Sequence, residues 1–209
     1  MTTDFPHVSF MLSAARLDQA PPDTGSEVAF AGRSNAGKSS ALNTISGQNK
    51  LARTSRTPGR TQLLNFFQLG NSANQRLVDL PGYGFAKVPP RVKQQWDRLL
   101  SGYLETRRSL TGLILIVDCR HPLKPFDQQM LNWCHQAGLP VHILLTKADK
   151  LSKNRAHAAL QQLDKYLNQN KLAATSQLFS ATERLGVEQV REQLLYWLEQ
   201  KKAPALRGG

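Results

Sequence analysis

From Glu27 onward, short continuous apolar runs alternate with longer stretches in which apolar positions return every three to four residues. Runs at 27–31, 62–69, 75–80, 112–118, 140–146 and 175–180 are rich in Val, Ile, Leu and Phe, and most are continuous rather than alternating, as in strands buried on both faces. Between them the period is helical. Over 89–107, Val92, Trp96, Leu99, Leu100, Tyr103 and Leu104 fall on one stripe; later stripes carry Phe126, Met130 and Trp133, then Leu160, Leu163 and Leu167, then Val187, Val190, Leu194 and Leu198. These residues are assigned to the core. The order predicts an α/β fold: a mostly parallel six-stranded sheet with one antiparallel strand and helices on both faces. The antiparallel pair is 62–69 with 75–80, because the link Gly70–Asn74 fits a hairpin and parallel strands need a longer crossover. Residues 1–24 read as an N-terminal extension in which Val8–Leu12 either adds an edge strand or packs on the core. Residues 25–200 form one domain, and 201–209 a frayed basic tail.

Composition narrows this little: of 209 residues, 40% are hydrophobic and 20% charged, an ordinary globular balance. The longest apolar run, Leu113–Val117, is far too short to span a bilayer, and the first residues lack the basic start and apolar stretch of a signal peptide. The expectation is a cytoplasmic monomer with no membrane partner. Cys119 and Cys134 show no metal-ligand spacing and read as reduced core thiols. Charge adds more. A net charge of +12 favours encounter with polyanions, nucleic acid above all, although a merely basic solvated surface has the same composition.

The sharpest chemistry lies in Gly32-Arg33-Ser34-Asn35-Ala36-Gly37-Lys38-Ser39, which follows a strand and opens a helix at Ser40. Glycines let the backbone wrap round phosphates at a helix N-terminus, Lys38 reaches the β- and γ-phosphates, and the Ser39 hydroxyl offers an oxygen to Mg²⁺. A nucleoside triphosphate follows. Asp79-Leu80-Pro81-Gly82 also closes a strand; Asp79 can approach Mg²⁺ and the Gly82 N–H the γ-phosphate. Thr146-Lys147-Ala148-Asp149 closes another. The Asp149 carboxylate can accept from guanine N1–H and the exocyclic amine, a pair of donors adenine lacks, while the Lys147 stem can lie over the purine. Phe179-Ser180-Ala181 closes the last strand and brings a backbone N–H to the guanine carbonyl. Four segments in this order, each ending a strand, lie where doubly wound sheets bind ligands.

These residues resemble the TRAFAC-class GTPases, and more closely the EngB family, also called YihA or YsxC. The resemblance covers nearly the whole chain and adds Thr57-Pro58-Gly59-Arg60-Thr61-Gln62 to the motifs above; the joint presence of this segment and Asp79-Leu80-Pro81-Gly82-Tyr83-Gly84 is specific to that family. It implies a P-loop GTPase domain that hydrolyses GTP slowly as a molecular switch. It also implies a role in assembling the large (50S) ribosomal subunit, needed for normal growth and cell division. By the same resemblance Gly59, Arg60 and Thr61 line the nucleotide, and the Thr61 hydroxyl completes a Mg²⁺ set with Ser39 and Asp79. Lys38, Asn35, Thr61 and Gly82 form the catalytic group. The partners implied are GTP or GDP and ribosomal RNA or a large-subunit precursor.

Four features stay open on sequence alone. Lys50–Gln62 carries Lys50, Arg53, Arg56 and Arg60 without an acid, and is either a solvated loop or an RNA contact. Thr146 stands where Asn is usual, which removes an amide that braces the phosphate loop. Tyr83 stands where many GTPases carry a water-orienting glutamine, so unassisted turnover is expected to be slow. Asn35 occupies the position at which potassium-activated relatives carry asparagine; it either helps hold K⁺ or only braces the loop. Two rival readings, a small-molecule kinase and a nucleic-acid module with a structural nucleotide, differ from the switch in product and in nucleotide dependence.

Overall fold

The computed structural model describes residues 4–52, 63–83 and 90–200, apart from the side chains of 90–93, 95 and 96. The sheet has seven strands: β1 (Val8–Ala14), β2 (Ser26–Gly32), β3 (Leu64–Leu69), β4 (Ser72–Asp79), β5 (Leu110–Asp118), β6 (Val141–Thr146) and β7 (Ala174–Leu178). Their spatial order is β1-β3-β4-β2-β5-β6-β7. The helices are α1 (Lys38–Ser46), α2 (Pro90–Thr106), α3 (Pro125–Gln136), α4 (Lys153–Gln169) and α5 (Val187–Glu199).

The sequence pattern counted six strands; the seventh is β1, which pairs antiparallel with β3 along Val8–Ala14. Its alternation is weak, with only Val8 and Ala14 buried, because an edge strand needs backbone pairing more than a covered face. The single antiparallel strand is β3, opposed to β1 on one side and β4 on the other. The remaining neighbours, β4·β2, β2·β5, β5·β6 and β6·β7, are parallel. Every residue of β2 and β5 is buried, which explains the unbroken apolar runs of the centre.

Two apolar clusters cover the two faces. One joins β5 and β6 to Leu100, Tyr103, Met130, Cys134, Leu163 and Leu167 of α2, α3 and α4. The other joins Phe30, Ile114, Ile116 and Leu144 to α1 and α5 through Leu42, Ile45, Val190, Leu194 and Trp197. Gly112 permits the close fit of α5, since a Cβ there would come within 2.4 Å of the Trp197 ring. Cys119 and Cys134 are buried, and burial pushes their thiols up to about 11 and about 12.

At the opposite pole from the strand C-termini sits a buried ion cluster. Glu27, with no exposed surface, accepts from Arg76 Nε at 2.7 Å, from Arg107 at 2.7 and 3.0 Å, and from the Tyr103 hydroxyl at 3.0 Å. Spare guanidinium donors reach the Pro21, Pro22, Thr24 and Ala73 carbonyls, so the 20–25 turn is fastened beneath β2, β4 and α2. Removing one partner strands a buried charge, a loss of about 3–5 kcal/mol. These bonds close the end of the sheet opposite the strand C-termini.

Candidate functional site

The loops following β2, β4, β5, β6 and β7 meet at one end of the sheet. The first is the turn from Gly32 to Ser39. Gly37 caps α1 at φ 98°, a left-handed conformation that glycine adopts without strain. The Ala41 N–H is already bonded to the Gly37 carbonyl at 2.8 Å, leaving the amides of Gly37, Lys38, Ser39 and Ser40 as the donors that no helix turn satisfies. Such a helix start binds anions through its amides and dipole. Ala36 is buried, Ser34 and Ser39 are half-buried, and Asn35 and Ser40 are exposed.

The Lys38 ammonium pairs with the Asp79 carboxylate at the end of β4. Both side chains are largely enclosed, 11% and 12% exposed. Beyond Asp79 the chain stays beside the phosphate loop: Ser34 N–H donates to the Tyr83 carbonyl at 2.9 Å, and Tyr83 N–H lies 3.4 Å from the Gly32 carbonyl. Gly82 is thus held against Ser34, whose nitrogen would stand 3.7 Å from a Cβ placed there.

Tyr83 turns away from the loop. It is 2% exposed, and its hydroxyl lies 3.4 Å from Asp127 Oδ1 at the start of α3. Asp127 also faces Arg33 Nε at 3.4 Å and accepts the Lys124 N–H at 3.0 Å. Burial, the largest influence, lifts the Asp127 carboxyl above its ordinary value, with Arg33 opposing. Burial and the neighbouring Asp127 push the Tyr83 phenol well above its own. The phenol is thus buried against α3.

The loop after β6 is fixed to the phosphate loop. Thr146 Oγ1 lies 2.5 Å from the Ala36 carbonyl and 3.1 Å from that of Val117. The expected loss of bracing at this position is therefore corrected: a threonine hydroxyl makes the tie that an asparagine amide would make. Lys147, at φ 61°, extends its ammonium to the Asn35 carbonyl at 2.6 Å and to Asp118 at 2.9 Å. Asp149 accepts from the Ser180 hydroxyl at 2.7 Å and pairs with Lys150 at 3.0 Å. Those contacts, the Ser180 bond first, hold its carboxyl below the usual carboxylate range. Ala148 N–H bonds to the Phe179 carbonyl at 3.2 Å. Phe179 has no exposed surface, so its ring belongs to the core while its backbone serves the loop; Ser180 is equally buried, and Ala181 is half-buried.

Gly32–Ser40, Asp79, Gly82, Thr146, Lys147, Asp149 and Phe179–Ala181 are thus brought to one end of the sheet. Gly59, Arg60 and Thr61 lie outside the described residues. Sequence reasoning missed Asp118, which closes β5 between Arg120 and Lys147. Burial disfavours its charge, but hydrogen bonds from Arg120 and Lys147 outweigh this and hold its carboxyl well below the usual range. An aspartate ending an otherwise apolar run was the available signal. Nothing in the sequence linked Asp127 to Arg33 and Tyr83. Among the described residues no group of three or more His, Cys, Asp or Glu could hold a metal, and no helix is long and apolar enough to cross a membrane.

Comparison with known proteins agrees with this arrangement. Residues 27–147 match the family described as 50S ribosome-binding GTPase. A protein of Nitrosococcus oceani named "Probable GTP-binding protein EngB" is 58% identical over 89% of this chain and 92% of its own length. Bearers of the same name from Nitrosomonas europaea and Coxiella burnetii are each 50% identical, over 96% of both chains and over 92% and 93% respectively. In structure, a crystal of a probable GTP-binding protein engB superposes with a TM-score of 0.67 at 20% identity, covering 84% of this chain and all of that one. Era in complex with MgGDPNP and nucleotides 1506–1542 of 16S ribosomal RNA superposes at 0.63 with 19% identity, over 86% of this chain and 59% of Era. At such identities the likeness is one of fold. Identity to the curated relatives decides the rest: the chain belongs to the EngB family of P-loop GTPases, which hydrolyse GTP to GDP and phosphate.

Proposed function

We propose that this GTPase is a slow molecular switch that acts in assembly of the large ribosomal subunit in the cytoplasm, and through it in growth and cell division. The observation that carries the nucleotide half is the Thr146–Ala36 bond, 2.5 Å long, which locks a base-reading loop onto a phosphate-reading loop. The ribosomal half is supported by the family description and the basic charge of +12.

In this reading the free amides of Gly37, Lys38, Ser39 and Ser40 hold the phosphates, and Lys38 exchanges Asp79 for β- and γ-phosphate oxygens. Asp149, prefixed by Ser180, accepts from guanine; a base without matching donors leaves this carboxylate unpaired, which is the source of discrimination. GTPases of this kind generally use Mg²⁺, and the donors fit: Ser39 and Asp79 are hard oxygen ligands beside the phosphate loop, with Thr61 as the third. Bound there, the ion neutralises charge on the transferring phosphoryl group. The Gly82 amide senses the γ-phosphate, beside a Tyr83 carbonyl that is bonded to the Ser34 N–H of the phosphate loop. Tyr83 contributes no water-orienting group, so the unassisted rate is low.

The test is co-sedimentation with large subunits and their precursors in GDP and in a non-hydrolysable GTP analogue. Tighter binding to precursors with the analogue is expected. Binding indifferent to nucleotide would overturn the switch and leave a constitutive RNA-binding module.

A further inference from the structure

The basic excess is not spread evenly over the chain. From Lys150 to Thr182 there are five Lys or Arg residues and a single acid, Asp164. This stretch is α4 with its flanks, packed along β7 at the edge of the sheet. Ala156, Leu163 and Leu167 form its buried stripe. The opposite side is exposed and carries Lys153, Arg155, His157 and Lys165, with amides at Asn154, Gln161 and Asn168 between them. The one acid, Asp164, is half-buried, and its carboxylate is turned to β7, where it accepts from the Ser176 hydroxyl. The next helix in the chain, α5, which covers the other face of the sheet, is built differently, with Glu188, Glu192 and Glu199 against Arg191. An incidental basic surface would mix the signs; α4 segregates them.

We propose that the outward face of α4, extended by Lys150 and Lys171 at its two ends, binds the sugar–phosphate backbone of RNA. This rests on the ribosomal reading above and names the surface through which it acts. The chemistry distinguishes RNA from an acidic protein. Protein interfaces are anchored by buried aromatic and apolar side chains, and the large exposed hydrophobics among the described residues, Phe10, Leu185 and Tyr196, are all off this helix. Interfaces to nucleic acid are polar and strongly positive. Lysine and arginine neutralise phosphates, while asparagine and glutamine bond to phosphate and ribose oxygens, 2′-hydroxyls included. A helix of 17 residues presents this set along about 25 Å. The surface is also wired to the base site, since Lys150 pairs with Asp149 at 3.0 Å.

The experiment uses the full chain, a labelled RNA hairpin duplex of about sixteen base pairs, the span of known double-strand binders, and purified large-subunit precursors. Two charge-reversed proteins are compared: Lys153→Glu/Arg155→Glu/Lys165→Glu, and a control with the same charge change elsewhere, Arg16→Glu/Arg108→Glu/Lys124→Glu. Thermal unfolding and GTP turnover should match wild type in both. The α4 protein should lose at least tenfold in affinity for hairpin and particle, and its slope of log affinity against log salt should become shallower by about two to three, near 0.9 per phosphate contact. The control should change far less. Equal losses in both proteins would reduce the effect to net charge and overturn the proposal, as would a wild-type slope in the α4 protein. Loss on particles with normal hairpin binding would assign the face to a protein and overturn it too. If wild type ignores particles yet binds the hairpin through α4, the ribosomal reading falls and the RNA surface stands.

Discussion

The Thr146 hydroxyl donates to the Ala36 carbonyl at 2.5 Å, joining the end of β6 to the middle of the phosphate loop. Both residues are buried, 3% and 2% exposed, so water cannot substitute if the donor is removed. The tie sets the distance between the groups proposed to hold phosphate and base.

Thr146→Val keeps the shape and removes the donor. Leaving a buried carbonyl unpaired costs about 1–3 kcal/mol, and the site that loses it must spend binding energy to reassemble. GDP and GTP affinity should fall about five- to tenfold or more, with Thr146→Ser close to wild type. Calorimetric titration of the three proteins measures this. Wild-type affinity in the valine variant would show that the two loops hold their spacing without the bond.

Asp149→Asn should weaken GTP and improve xanthosine triphosphate, because the new amide can donate to the extra base carbonyl. Ser180 Oγ, 2.7 Å from Asp149, bonds an amide oxygen as readily, so the side chain keeps its aim. Competition titrations with both nucleotides give the ratio. An unchanged base preference would remove this aspartate from the base site.

Much of this site was legible because it is local in sequence. A strand, a glycine-rich turn and a helix start are read from adjacent residues, as with Gly32–Ser40, and the short motifs ending β4, β6 and β7 follow by their order. What escaped is what depends on distance. The pairing of Asp127 with Arg33 and Tyr83 joins three elements, and Glu27, Arg76, Tyr103 and Arg107 meet only after the sheet has formed. The Thr146 tie was misjudged for the same reason: residue type suggested a missing amide, whereas the close approach of Ala36 lets a shorter side chain reach. β1 stayed ambiguous because an edge strand is held by backbone bonds that leave little mark on side-chain pattern.

Tyr83 is where a water-orienting glutamine would be engineered first, and the structure argues that the change will fail. The side chain is 2% exposed and its hydroxyl faces Asp127 at 3.4 Å, inside α3. Tyr83→Gln should leave single-turnover hydrolysis within about threefold of wild type and lower stability by about 2–4 kcal/mol, through lost packing and a buried amide. Tyr83→Phe should be milder. Rapid-quench hydrolysis and denaturant unfolding separate rate from stability; a tenfold faster glutamine variant would mean that position 83 reaches the phosphates.

The remaining prediction concerns what stabilises transition-state charge when position 83 supplies nothing. Positioning and electrostatics provide nearly all the catalysis in phosphoryl transfer, so a cation held near Asn35 would serve where an arginine finger is missing. Asn35 is exposed, and its backbone carbonyl takes the Lys147 ammonium at 2.6 Å, a bond that does not use the side-chain oxygen. The backbone offers a competing reason for asparagine: φ is 62° here, a left-handed conformation that asparagine tolerates better than most residues. Asn35→Ala would confound the two by adding strain. Asn35→Gly separates them, since glycine accepts the backbone and lacks the side chain. If Asn35 helps hold K⁺, wild type should hydrolyse GTP at least several-fold faster in KCl than in NaCl of equal ionic strength, and Asn35→Gly should lose that difference while binding GDP normally. Single-turnover rates with and without large-subunit precursors decide it. Equal rates in the two salts would assign Asn35 to loop geometry alone and leave activation to a group supplied by a partner.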